Sequence, residues 1–118
     1  MAKKIMVVDD EKDIRDTVEM VLEKEGYEVV TATNADDALK KVESGEKPDL
    51  VLMDIMMPGT PVKDIIPKLK GIKVAYLSVV RTSEAEKEDL MASKNIVAFI
   101  QKPFDVNTLL KKVKSIVK

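Results

Sequence analysis

Lys4-Ile5-Met6-Val7-Val8-Asp9-Asp10 is a short apolar run that stops at two carboxylates. A brief run without alternation reads as a strand buried on both faces, as in a parallel sheet covered by helices. Two further stretches share the design. Leu50-Val51-Leu52-Met53 runs into Asp54, and Val97-Ala98-Phe99-Ile100-Gln101 runs into Lys102 and Pro103. Charged residues at the C-terminal ends of buried parallel strands are where an open α/β sheet builds its site. Three carboxylates and one ammonium at such ends suggest a divalent metal and a transferred phosphoryl group.

Helix-period stretches separate the apolar runs. Residues 11–25 place Ile14, Val18, Val21 and Leu22 on one stripe, with Gly26 as the stop. Residues 28–31 form a short edge-like strand. Asn34 caps a helix through about Glu43 that buries Ala35, Ala38, Leu39 and Val42. Strands follow at 49–53 and 73–77. Ser83 caps a helix through about Ser93, with Glu84 and Glu86 suiting its dipole. The last strand is 96–100. Asp105 then caps a closing helix with an inner stripe of Val106, Leu109, Leu110, Val113 and Val117. In the segment 59–71, Pro61 fits a first helical turn but Pro67 would remove a backbone bond inside it. A short, kinked or displaced helix is expected there. The pattern is β-α repeated five times: a parallel five-stranded α/β sheet with helices on both faces.

The totals bound the function. A chain of 118 residues, 45% hydrophobic with net charge −1, is one soluble, ordered domain spanning 1–118. Twenty basic against 21 acidic residues leave no electrostatic footprint for direct nucleic-acid binding. No apolar run reaches membrane-span length and no signal-peptide pattern opens the chain. The absence of Cys removes disulfide and thiolate chemistry and makes a cytoplasmic location the simplest expectation. The absence of His removes the commonest general base and metal ligand. Arg occurs only at 15 and 81, and a Lys/Glu-rich chain without Cys leans toward a thermophilic source.

The remaining chemistry rests on carboxylates, Lys and hydroxyls. Mg²⁺ prefers hard oxygen ligands and takes one or two carboxylates while keeping several waters. Asp10 and Asp54 suit that role, with Asp9 acting through water. A carboxylate cluster needs a counter-ion or a proton to persist. A carboxylate can itself be the nucleophile and form an aspartyl-phosphate. Phosphoryl transfer demands mostly positioning and charge neutralisation, so it does not require His. Lys102 supplies a second cation and Ser78 a hydroxyl at the same sheet edge. Each residue alone has a plainer use: an Asp after an apolar run is usually a turn former or helix cap. Their shared place at C-terminal strand ends is what distinguishes them.

These residues carry a resemblance. Val7-Val8-Asp9-Asp10-Glu11, Leu52-Met53-Asp54-Ile55-Met56-Met57-Pro58-Gly59, Leu77-Ser78 and Phe99-Ile100-Gln101-Lys102-Pro103-Phe104 match in order the receiver domain of two-component response regulators, the CheY-like family. The resemblance spans the whole chain. It implies strand order 2-1-3-4-5 with the site at the switch point between the first and third strands. It implies a regulatory domain rather than an enzyme proper, phosphorylated on Asp54 by a histidine kinase or phosphotransfer protein. Mg²⁺ is then held by Asp9, Asp10, Asp54 and the main-chain carbonyl of Met56. Lys102 contacts the phosphate, and Ser78 and Phe99 are switch residues that reshape a face read by a protein target. A stand-alone receiver, monomeric or weakly dimeric, is expected.

The chain also departs from the family pattern. Val79 stands where a small residue is usual, and Lys94-Asn95-Ile96 replaces a Gly-Ala turn. The Gly usual beyond Met-Pro-Gly is absent. Val79 and the altered 59–71 segment slightly favour the alternative of a receiver-like binding module that works without phosphorylation, and the complete set of Asp9, Asp10, Asp54 and Lys102 argues against it. An aspartyl phosphatase would need a second acid two residues after its nucleophile, where this chain has Met56. In a flavodoxin-like flavin binder, Asp9 and Asp10 would repel the phosphate.

Overall fold

A computed structural model of the chain describes residues 3–55, 59, 62–69, 71–78, 94–101 and 105–117, leaving the side chains of Lys63, Ser78 and Gln101 undescribed. Five strands form one sheet: β1 Lys4–Val8, β2 Glu28–Ala32, β3 Leu50–Asp54, β4 Lys73–Ser78 and β5 Ile96–Gln101. All pairings are parallel and the order is β2-β1-β3-β4-β5. The helices among the described residues are α1 Lys12–Lys24, α2 Ala35–Glu43, α3 Val62–Ile65 and α4 Val106–Ile116. This is the expected flavodoxin-like, CheY-like arrangement. The helix expected at 83–93 lies outside the described residues.

The absence of apolar alternation in the strands has its explanation in two cores. Ile5, Val7, Leu50, Leu52, Ala75 and Leu77 pack with Val18 and Leu22 of α1 and Leu109 and Val113 of α4. Met6, Val8, Val51, Met53, Val74 and Tyr76 pack on the other face with α2 and α3. Successive side chains in a strand point to opposite faces, so a sheet covered on both sides must be apolar at every position. Every residue of β3, the central strand, is buried.

Local sequence sets several of the turns and helix ends. Gly26, with φ of +93°, ends α1 in a left-handed turn that a side chain would strain. Its N–H donates to the Glu23 carbonyl and that of Tyr27 to the Leu22 carbonyl, the paired bonds of a Schellman motif. Asn34 caps α2 by accepting the Asp37 N–H at 2.7 Å. Asp105 caps α4 by accepting the Thr108 N–H at 2.7 Å.

Three expectations need correction. Val21 is only half-buried, while Val18 and Leu22 carry the α1 core contact. Val106 is 44% exposed. It lies in the first turn of α4, where the Cα–Cβ bond leans back past the packed stripe. Strands β2 to β5 each end one residue later than expected. At the C-terminal edge the parallel ladder continues through Val8↔Ala32, Asp54↔Leu77 and Ser78↔Gln101. The expectation for 59–71 is met: α3 is a single turn followed by a 3₁₀ turn, Ile66–Lys68, that holds Pro67.

Candidate functional site

The β1–β3 register places two acids on one rung. Val8 pairs with Met53, so Asp9 and Asp54 follow as neighbours at the C-terminal edge. Both fall on the parity of the α1 face and both are buried, at 0% and 4% exposure, whereas Asp10 is exposed. One carboxylate oxygen from each of Asp9, Asp10 and Asp54 lies within 4.8 Å of the other two. Charges at such spacing repel by roughly 4 kcal/mol per pair at an effective dielectric near 20. Two buried carboxylates and one open to solvent form a hard-oxygen set suited to a hydrated divalent cation.

The turn after β1 holds this geometry from several directions. The Asp9 N–H donates to the Ala32 carbonyl at 3.2 Å, carrying the β1–β2 ladder one residue past the strand. The Asp9 Oδ1 accepts the Glu11 N–H at 2.9 Å, an Asx-type turn. The Asp9 carbonyl accepts a bond from Arg15 Nη1 at 2.7 Å. After β3, the Ile55 N–H donates to the Leu77 carbonyl at 3.2 Å, which extends the β3–β4 ladder past Asp54. Gly59, with φ of +104°, lies beside α2: a Cβ there would be 3.5 Å from Asp36 Oδ2.

Of the other expected site residues, Ser78 is the last residue of β4, one step beyond Leu77, the partner of Asp54. Its backbone is thus at the acid edge. Phe99 lies in β5 opposite Tyr76, and the two rings meet edge to face at 6.1 Å and 67°. Met56, Val79 and Lys102 lie outside the described residues.

The sequence reading missed three residues. Arg15 could have been noticed as one of only two arginines, one helical turn past the acid pair. Tyr76 is the lone aromatic in β4; it is buried, and burial pushes its phenol up to about 12, so it stays protonated at neutral pH. Asn95 stands in the Lys94-Asn95-Ile96 stretch that departs from the family's turn pattern. Its Nδ2 donates to the carbonyls of Ile66 and Leu69, at 3.1 Å each, and closes the end of the 3₁₀ turn.

Comparison with known proteins agrees with this geometry. The family model described as "Response regulator receiver domain" matches residues 5–114. The alkaline phosphatase synthesis transcriptional regulatory protein PhoP of Bacillus subtilis is 35% identical over 120 residues, covering 100% of this chain and 50% of the relative. The chain therefore spans about half the length of that protein. Among solved structures, chemotaxis protein CheY4 of Vibrio cholerae is 28% identical with a TM-score of 0.87, covering 98% of this chain and 99% of the other. The response regulator TrrA of Thermotoga maritima, solved in complex with Mg²⁺-BeF, is 35% identical with a TM-score of 0.82, covering 97% and 98%. Among the described residues no helix is long and apolar enough to cross a membrane. With sheet order, acid cluster and relatives in agreement, the chain belongs to the response regulator receiver domain family, a regulatory family whose role is phosphoacceptor function in two-component signalling.

Proposed function

We propose that this receiver takes its phosphoryl group on Asp54, with Mg²⁺ held by Asp9, Asp10, Asp54 and the Met56 carbonyl. One observation carries the reading: three carboxylates converge within 4.8 Å at the C-terminal edge of the sheet, and one of them ends the central strand. Mg²⁺, when bound, supplies charge neutralisation for the carboxylates and for the phosphoryl oxygens. The residues do the rest. An Asp54 oxygen attacks the phosphorus of a phosphohistidine or acyl phosphate in line with the leaving group. The P–N or P–O bond breaks, its electron pair leaves with the donor, and a P–O bond to Asp54 forms. At 4% exposure the Asp54 carboxylate is largely stripped of bulk solvent, which leaves its oxygens less hydrated for the attack. Lys102 and Ser78 are assigned to the phosphoryl oxygens by their match to the family pattern.

The donor in this reading is a histidine kinase or phosphotransfer protein. It meets α1 at Asp13, Thr17 and Met20, an exposed stripe at helical spacing beginning three residues from the acid pair. Met20 is 55% exposed, a soft apolar contact for a partner helix. A downstream protein reads the change through Phe99. Hydrolysis of the phosphoaspartate at the same site resets the state.

Incubation with acetyl phosphate and Mg²⁺ should add a single phosphate by intact mass. Asp54→Asn should abolish it. Unchanged labelling of that variant would move the phosphoacceptor elsewhere and remove the proposal.

A further inference from the structure

Arg15 has no part in the chemistry described above, yet its guanidinium reaches back across a helical turn to the acid loop. It donates from Nη1 to the Asp9 carbonyl at 2.7 Å. That carbonyl belongs to the peptide joining the two acids, so fixing it fixes the plane from which Asp10 departs. The Asp9 N–H and carboxylate are already held by Ala32 and Glu11, at 3.2 and 2.9 Å. The Asp9–Asp10 peptide is therefore restrained at its other end by Arg15. Asp10 is the exposed member of the cluster, so the body of the sheet does little to hold it. A charge-assisted bond to a carbonyl is short and directional, and Arg is more preorganised than Lys for making one.

We infer that Arg15 is a positioning residue for cation binding: by holding the Asp9–Asp10 peptide it sets the Asp10 carboxylate toward Asp9 and Asp54 before any cation arrives. This deepens the proposed phosphoacceptor reading and rests on it for the identity of the ion. The opposing effect is electrostatic, since a guanidinium bonded to the peptide between two of the carboxylates weakens cation binding. The inference requires that orientation outweigh charge.

Arg15→Met and Arg15→Lys separate the two. Without metal, amide hydrogen exchange at Asp9 and Glu11 should rise about ten-fold in Arg15→Met, the change expected when one charge-assisted bond is lost. Exchange in β3 should not change. Arg15→Lys should fall between wild type and Arg15→Met. Titration with Mg²⁺ alone should give a dissociation constant several-fold weaker for Arg15→Met. Acetyl phosphate labelling at saturating Mg²⁺ should stay close to wild type. Unchanged exchange at Asp9 and Glu11, or Mg²⁺ affinity equal to or tighter than wild type in Arg15→Met, overturns the inference. Failure of the wild type to bind Mg²⁺ overturns instead the phosphoacceptor reading, and the metal-free exchange comparison still decides the role of Arg15 in the loop.

Discussion

The two halves of the sheet reach the same architecture by different means. In the β2-β1-β3 half the rungs run in simple step, from Lys4↔Glu28 to Val8↔Met53. Its turns are set by residues beside them in sequence: Asp9 for the first loop, Gly26 for the end of α1, Asn34 for the start of α2. In the β4–β5 half the register slips between Val74 and Ala75, so that Val97 is left without a rung and is 41% exposed. Before β4, α3 gives way to a 3₁₀ turn at Pro67, and the turn is closed by Asn95 from 26 and 29 positions away. The first half carries the acids and is specified locally. The second carries Ser78 and Phe99 and, beside the local cap at Asp105, has a bridge between distant segments at Asn95.

The strongest way to break this comparison is Asn95→Ala. It removes two side-chain hydrogen bonds while the Ile66 and Leu69 carbonyls keep the N–H groups of Leu69 and Ile72, so at about 1 kcal/mol net per bond a total of about 2 kcal/mol is expected in urea unfolding. Loss should be accompanied by faster hydrogen exchange in β5 and around Leu69, with β1 and β3 unaffected. A loss below about 0.5 kcal/mol, in the range of an ordinary surface change, would show that the second half does not depend on the Asn95 bridge.

Mg²⁺ sharpens the comparison from the other side, because all three acids belong to the first half. An ion at about ten times its dissociation constant should add about 1.4 kcal/mol of stability by mass action. Asp10→Ala should relieve repulsion and be more stable than wild type without metal, yet gain little from adding it. Equal gains in both proteins would place the ion away from the acid cluster.

The same contrast explains what could be read from the residues alone. The two-sided core and the acid edge were legible because the apolar runs Ile5–Val8 and Leu50–Met53 do not alternate and lead into Asp, whereas the strand order came from the family resemblance. The cap at Asn34 and the stop at Gly26 were legible because each acts within a few residues. Val106 misled because helical periodicity does not say where packing ends. Tyr76 and Asn95 were not legible because their partners are set by tertiary approach: a ring across a parallel ladder and a 3₁₀ turn far upstream. Pro67 announced a broken helix but carried no signal for the residue that would close it.

The smallest expected effect tests whether the α2 cap is as local as it looks. Asn34 accepts the Asp37 N–H, and Asp37 Oδ2 accepts the Thr33 N–H at 3.0 Å, a reciprocal pair at the helix start. Removing the first bond by Asn34→Ala should cost about 1 kcal/mol, and that loss should not depend on pH. Asp37 behaves differently. The Thr33 N–H, and then the charge of Lys41, hold its carboxyl below the usual carboxylate range against the opposing effect of partial burial. A carboxyl lowered in the folded state stabilises the protein above its unfolded value, about 3.9, and that stabilisation is lost as pH falls toward the lower folded value. Its side chain is 29% exposed and its pairing with Lys41 is an i,i+4 surface contact, so the contribution should stay below about 1 kcal/mol. Asp37→Asn should therefore lower the melting temperature slightly at neutral pH, and the gap to wild type should narrow as pH falls through the acid range. Asn34→Ala should keep its gap throughout. A gap for Asp37→Asn that is constant with pH would show that Asp37 acts through shape rather than charge. The cap would then rest on the Asn34 bond alone.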